Sequence, residues 1–528
     1  MEKRLITAIV ASVCIMFISQ MFFTKPKTLF HQEKATETML IDKNQTNSLP
    51  ENKDAEAVKQ EKLTKPDEEI VFETKNARFI FSKQEAAIKN CIVKNIGDKK
   101  EEIPLFNKQN RLFAIESKDF FSLENTGYLS VKEKDSLSFK AETPNKFQIE
   151  KTFVFNEEKR EISVSIALTN NSNETKNIAY LLEGPASLTQ EDSPAGQHME
   201  EGFLLIDEQL IKKNAVKGVW VKEGKCAWVA IRNRYFCSIA GPRTEEGSSI
   251  SVSGGKNIPL IMSFNINQTL APGETKKKEF FLYCGSAKED VLAGMGQGME
   301  AIVDYGWFGF ISKLFLFILN WFYGIVKNWG IAIILLTFVV NFITFPLTKK
   351  SFASMQQMKQ LQPHMDKLKA LHKDNPTKMN KEMMDLYKKY RVNPMGGCLP
   401  MILQIPIFIA LYQGLNKSIE LKGASFLWIQ DLARPDAAKI PISLPFIGES
   451  INILPLLMVG MMFLQQKISM GDMASMSEEQ KSQQKMMLLV FPAVFGFFFY
   501  SMPAGLVLYW LTNTMLMTGE QFFLLNKK

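Results

Sequence analysis

Two hydrophobic rhythms divide this chain. From about residue 70 to 284, apolar and polar residues alternate in short runs such as IVFET, RFIFS, KFQIEKTFVF, REISVSIALTN, CAWVAIR and KKEFFLYC, with turn residues between them. A period of two puts one face of an antiparallel strand into a core, and strands in this number predict a large β-sandwich. Beyond about 300 the alternation gives way to unbroken apolar runs at 329–347, 398–416, 451–466, 486–501 and 505–524. These predict membrane-spanning helices. The runs 451–466 and 486–501 reach only about 24 Å as helices, short of a hydrocarbon core of about 30 Å, which favours local thinning of the bilayer. One further run, LITAIVASVCIMFISQMFF at 5–23, carries no charge, follows Lys3 and Arg4, and has no small-residue cleavage site after it. It predicts an uncleaved signal anchor with a cytoplasmic N-terminus.

Charge then sets the topology. Residues 348–392 hold eleven Lys or Arg against four acids, a loop that belongs on the cytoplasmic side. With the N-terminus also inside and the sandwich outside, one span lies between sandwich and loop. The run 305–326 is therefore expected to lie along the outer interface as an amphipathic helix, its aromatics at headgroup level and Lys313 turned to water. The remaining runs alternate across the bilayer, and Lys527 and Lys528 end the chain inside. The reading is a polytopic α-helical membrane protein with six transmembrane helices, an all-β exported domain and a cytoplasmic helical hairpin. Its boundaries are an anchor at 1–23, a disordered linker at 24–69, a β-sandwich at 70–284, connecting and interfacial helices at 285–327, and a five-helix core at 328–525 with the hairpin at 349–392. The linker contains eight Lys and ten Asp or Glu, too polar to fold by itself. In the hairpin, a helix over about 350–372 is followed by Asn375 as cap and Pro376 in the first turn of a second helix that runs to about 390.

Candidate chemistry is sparse. His198 sits in a Gly-rich loop near Glu200 and Glu201, and reads as an ordinary loop residue. Cys226 and Cys237 either face each other across a hairpin or remain buried thiols. No nucleophile elbow, paired metal motif or phosphate loop occurs, so neither a cofactor nor a small-molecule substrate is expected. The Met side chains Met355, Met358, Met365, Met379, Met383 and Met384 line the two hairpin helices, either as packing between them or as a contact surface for a client. The basic hairpin, Lys388 and Lys389 included, either fixes topology or touches ribosomal RNA. Asn341 interrupts an apolar run, TFVVNFITFPL, and shares a helix face with Thr337. An unpaired amide in hydrocarbon costs about 2–7 kcal/mol. Asn341 therefore either lines a hydrated cavity with Gln404, Tyr509, Trp510 and Asn513, or joins two helices by a hydrogen bond worth about 0.6 kcal/mol on average.

Six segments in register, VDYGWFGFIS (303–312), NWGIAIILLTF (328–338), FPLTKKSFASMQQMKQLQP (345–363), VNPMGGCLPMILQIPIFIALY (392–412), FLWIQDL (426–432) and PAGLVLYWLTN (503–513), resemble the YidC-type membrane protein insertases. The anchor and the long exported domain resemble the Gram-negative form, whose periplasmic domain is a β-supersandwich. The resemblance implies a bacterial inner-membrane insertase and chaperone without nucleotide or metal. Its five-helix insertase core would enclose a hydrophilic groove open to cytoplasm and lipid. The implied partners are nascent membrane proteins, the ribosome, the Sec translocon and the lipid bilayer. The family typically carries an Arg in the groove where this chain has Asn341, so a fixed cation cannot attract acidic clients at that position. Two other functions compete. A transporter would want inverted repeats and buried ionisable groups, and a membrane-anchored exported enzyme would rest on fold analogy alone.

Overall fold

The computed structural model describes residues 67–526 except 97–99, 107–109, 118–126, 190–199, 217, 245–246, 256–257, 373–374, 394–398, 445–447 and 471–477. The anchor, most of the linker, His198, the glycines of VNPMGG and the terminal lysines lie outside the described residues.

The alternating segments are strands. Glu69–Glu73, Ala77–Ser82, Ala87–Ile96 and Glu101–Pro104 form a four-stranded antiparallel sheet in chain order. The strands that follow, up to Thr275–Ser286, form a larger sheet of thirteen among the described residues. Burial alternates residue by residue along Phe147–Asn156 and Glu161–Asn170, which is why the period of two was readable. The faces of the two sheets meet through aromatic rings. Phe72 stacks on Phe155 at 3.8 Å and Phe81 meets Phe153 edge-on at 4.9 Å. Each such buried ring contributes about 1.5–3 kcal/mol, and paired rings somewhat more.

One charge lies inside this sandwich. Lys151 is fully buried, and its Nζ donates to the carbonyls of Glu85, Ala86 and Phe113 at 2.9, 3.2 and 2.8 Å. Burial pulls its ammonium down to about 7, against the opposing pull of Glu85 and Glu183. Burial likewise pushes the Glu183 carboxyl up to about 7, although Arg111 lies 2.5 Å away.

The hairpin pairing considered for Cys226 and Cys237 does not occur. The strands Val219–Arg232 and Phe236–Pro242 pair with Arg232 opposite Cys237, while Cys226 lies opposite Ile206 of another strand. Both are buried thiols. The register, not the short separation in sequence, decides what a strand residue faces.

The link from the sandwich is shorter in helix than its sequence suggests. α1 covers Glu289–Met295, and a single 3-10 turn covers Met299–Ile302. Between them Gly296, Gln297 and Gly298 all have positive φ, at 79°, 56° and 68°, which ends a right-handed helix. The link packs on the outer face of the large sheet, where Trp228 Nε1 donates to the Gln297 carbonyl at 2.9 Å and Arg232 to the Ile302 carbonyl at 2.5 Å.

α2 covers Gly309–Val326 and ends at Lys327, whose φ is 52°. Phe310, Phe317, Trp321 and Ile325 are exposed along it, while Ser312, Phe315 and Leu319 are buried. The Ser312 hydroxyl donates to the Ala410 carbonyl at 2.7 Å, and Lys313 pairs with Glu289 of α1. Asn328 then caps α3, Trp329–Leu371, by accepting from the Ile331 amide at 3.0 Å. α3 corrects an expectation. The apolar run and the first arm of the hairpin form one helix of 43 residues, not two. Pro346 reads as a stop because it lacks an N–H. Just ahead of it the Thr344 hydroxyl reaches back to the Val340 and Asn341 carbonyls, at 3.0 and 3.2 Å, and the helix runs on.

The second arm is α4, Pro376–Tyr390, capped by Asn375 as expected. α5 covers Leu399–Lys417, α6 Ile453–Met470, α7 Glu478–Phe499 and α8 Ala504–Asn526. Asp436 anchors the stretch between α5 and α6. Asp436 accepts from Trp428 Nε1 at 3.2 Å and from the Leu454 amide at 2.8 Å, tying FLWIQDL to the start of α6. Gly330 leaves room for the ring of Phe426, which any β-carbon there would strike. Two described helices are long and apolar enough to cross a membrane, Gly309–Val326 and the first part of α3, Trp329–Met358. Ile453–Ser469 and Leu488–Phe499 are apolar but shorter.

Candidate functional site

Along α3 the small polar residues Thr337, Asn341, Thr344, Thr348 and Ser351 recur every three or four positions, which is one helix face. All but Thr344 are buried, whereas Phe338, Phe342 and Phe345 on other faces are exposed. Along α8, Tyr509, Asn513 and Gln521 are buried at spacings of four and eight. These two faces meet. Asn341 Nδ2 donates to Asn513 Oδ1 at 2.9 Å and to the Thr337 carbonyl at 2.9 Å. From α5, Gln404 Nε2 donates to the Tyr509 hydroxyl at 2.9 Å. A polar seam thus runs where α3, α5 and α8 converge.

Its chemistry is neutral throughout. The hydroxyls of Thr337, Thr348, Thr512 and Thr518 each donate to the carbonyl four residues back, at 2.6–3.1 Å. The amides and the phenol reach across between helices. The runs 329–347, 398–416, 451–466, 486–501 and 505–519 contain no Lys, Arg, Asp or Glu. The seam can exchange hydrogen bonds but holds no proton to transfer, and among the described residues no cluster of His, Cys, Asp and Glu could hold a metal.

Five of the six candidates therefore come together: Thr337, Asn341, Gln404, Tyr509 and Asn513. Trp510 turns aside and packs against Phe408, Phe495 and Phe499, at 5.3, 5.8 and 5.2 Å between ring centroids. Asn341 is 6% exposed, and the interhelical bond of the second reading is present. The structure also adds residues that sequence reasoning passed over. Ser469 of α6 and Gln521 of α8 bond each other at 2.8 Å, extending the seam toward the far end of α8. The four-three-four-three spacing of Thr337, Asn341, Thr344, Thr348 and Ser351 marks only the α3 side of the seam; Ser469 and Gln521 carry no such signal.

In the hairpin, the Tyr387 hydroxyl donates to Met365 Sδ at 3.7 Å, and His372 Nε2 meets Glu382 at 2.9 Å. Met355, Met358, Met365, Met379 and Met383 are half-buried, while Met384 is exposed, as are Lys388 and Lys389.

A family model described as "60Kd inner membrane protein" matches residues 321–528, and one for the YidC periplasmic domain matches 96–318. The "Membrane protein insertase YidC" of Oleidesulfovibrio alaskensis is 35% identical over 399 residues, which cover 72% of this chain and 69% of that one. This chain belongs to the YidC family. The YidC insertase of Syntrophobacter fumaroxidans is 39% identical over 331 residues, covering 62% of this chain and 58% of the relative. The match to that relative and to those of Pelobacter propionicus and Geobacter metallireducens spans only 52–58% of their length. A crystal structure described as an active YidC insertase with its first transmembrane domain resolved aligns to 85% of this chain, at 18% identity and a TM-score of 0.37. The two family models meet at 318–321, within α2.

Proposed function

We propose that this protein is a membrane protein insertase and chaperone, not an enzyme, whose clients are nascent membrane proteins, served alone or with the Sec translocon. Family membership carries this reading, and the seam between α3, α5 and α8 supplies its mechanism. A client segment that parts α3 from α8 meets amides and hydroxyls already paired at membrane depth. Its polar flank exchanges one hydrogen bond for another and is not left unpaired in hydrocarbon, where each such group costs about 2–7 kcal/mol. The neutral Asn341–Asn513 bond suits this role, because such bonds contribute only about 0.6 kcal/mol on average and so yield readily to a competitor.

The topology that serves this mechanism has six spans, with the anchor at 5–23 first and α3, α5, α6, α7 and α8 after it. The α3–α4 hairpin and both termini lie in the cytoplasm, and 24–327 lies in the periplasm. The excess of eleven basic residues over four acids in the hairpin supports that side. The aromatic outer face of α2, with Lys313 held by Glu289, suits a helix lying at the outer interface. Ribosome contact through the hairpin is a second reading, favoured by the exposure of Lys388 and Lys389. It predicts binding that weakens steeply with salt.

The test is insertion of a ribosome-stalled client into proteoliposomes, with photo-crosslinking probes at positions 337, 341, 404 and 510. Crosslinks are expected at 337, 341 and 404 and not at 510, because Trp510 faces the aromatic cluster. Asn341→Leu should slow insertion, and Asn341→Arg should be tolerated. Equal insertion by Asn341→Leu and the unmodified protein, with no crosslinks at 337 or 341, would reject the seam as the client path.

A further inference from the structure

We propose that Cys91 and Cys284 form a disulfide that ties the four-stranded sheet of the exported domain to the larger one. The pair was invisible in the sequence, since the two residues belong to different sheets. Cys91 lies on Ala87–Ile96, opposite Phe79, on the same face as Val93. Cys284 lies on Thr275–Ser286, opposite Ser238, whose hydroxyl is 3.6 Å from Cys284 Sγ. Phe79, Val93 and Cys284 line one cavity of about 510 Å³ between the sheets. The Cys91 thiol is raised first by burial and then by the Cys284 thiol, which makes the two cysteines neighbours across this joint. The other thiols are badly placed. Cys237 lies opposite Gly285, on the opposite face of its sheet, among Trp228 and Phe281, and Cys226 is one strand further from Cys284.

The cavity also decides the order of events. Cys91 is fully buried, and Cys284 is the partly exposed sulfur. The oxidant is a disulfide-bearing small molecule or protein. The Cys284 thiolate attacks one sulfur of that disulfide, breaking it, and the departing thiolate takes up a proton. Cys91 then loses its proton and attacks the Cys284 sulfur of the mixed disulfide, releasing the second thiol. Two electrons and two protons pass from the pair to the oxidant. Burial pushes the Cys91 thiol well above its ordinary value, which makes it the resolving and not the attacking group. The four-stranded sheet begins at Glu69, directly after the linker, so the bond makes covalent the joint between the tethered sheet and the rest of the domain. An oxidising surrounding for the pair rests on the exported placement proposed above. The pairing itself rests only on the fold.

The experiment uses the full-length protein in detergent. It is incubated with oxidised glutathione, denatured in N-ethylmaleimide, digested, and analysed by mass spectrometry. The expected product is the Cys91 peptide joined to the Cys284 peptide, two hydrogens lighter than their sum. Alkylation of both thiols after oxidation, or Cys284 joined to Cys237, would overturn the proposal. Oxidation should also raise the unfolding temperature of the exported domain by about 5–10 °C. That rise should vanish in Cys91→Ser and in Cys284→Ser and persist in Cys226→Ser. A rise that survives in Cys91→Ser overturns the proposal. Alkylation of intact cells reads the compartment separately: a pair that oxidises when purified but is reduced in cells upholds the pairing and counts against the exported placement.

Discussion

The sandwich buries a charge, and the helical core buries none in its apolar runs. In the sandwich, Lys151 gives each of its three donors to a carbonyl held rigidly by a turn or loop between strands. In the core, the polar groups of the seam are two Asn side chains, two Gln, a Tyr and several hydroxyls, and most of the hydroxyls bond within their own helix. An ammonium removed from water needs every donor met, and a rigid β framework can meet it once and keep it met. On a helix face that opens to hydrocarbon or to a passing chain a charge must be kept wet each time the face opens, and neutral groups carry no such requirement. Neutral groups that bond to their own backbone lose little on opening. The contrast separates a joint built to stay closed from one suited to parting.

The contrast breaks most severely at Lys151. Lys151→Met removes the donor from three carbonyls, two of them in fully buried residues, and each buried one then costs about 1–3 kcal/mol. Relief of the ammonium's own desolvation offsets part of this, leaving a net loss of about 2–4 kcal/mol. Thermal unfolding of the exported domain in the full-length protein should shift down by about 5–10 °C. An unchanged transition would mean that the buried ammonium does not brace the sheets.

A smaller effect sharpens the same point through pH. The folded value of Glu183, about 7, lies above the usual 4.5. The stability it contributes is fully present below pH 4.5 and is lost as pH rises through about 7. The folded value of Lys151, also about 7, lies below the usual 10.5. Its contribution is present above pH 10.5 and is lost as pH falls through about 7. Together these two groups give the sandwich a shallow stability minimum near neutrality. Unfolding followed from pH 5 to 10 should show it. Glu183→Gln should flatten the acid limb and Lys151→Met the alkaline one, and a minimum that persists in both variants would assign it to other groups.

Much of this architecture can be read from the sequence for one reason: burial on one face of a strand or helix repeats locally. Strand period and apolar run length carried the division at about 285 and the positions of the helices. What could not be read is whatever joins distant segments. Asn341 and Asn513 are 172 residues apart, and nothing local distinguishes an Asn with a partner from an Asn facing water. Pro346 and the lysines after it mark a helix end by local rules, yet α3 continues through them to Leu371. Trp510 sits beside Tyr509 in the sequence, yet residues adjacent along a helix point about 100° apart.

The smallest expected effect is the most direct test of the seam. If Asn341 and Asn513 act as an exchangeable clasp, their coupling must be weak. A double-mutant cycle with Asn341→Leu, Asn513→Leu and both changes together should give a coupling of about 0.6 kcal/mol in the stability of the core in detergent. The same cycle read as insertion rate should show each single variant slower by about threefold, which is that free energy expressed as a rate ratio. The double variant should be no faster than either single one, because the client then finds no amide on either helix. A coupling of several kcal/mol would describe a lock and not a clasp. Restored insertion in the double variant would mean that the client needs the seam apolar, and that the amides serve only to hold α3 against α8.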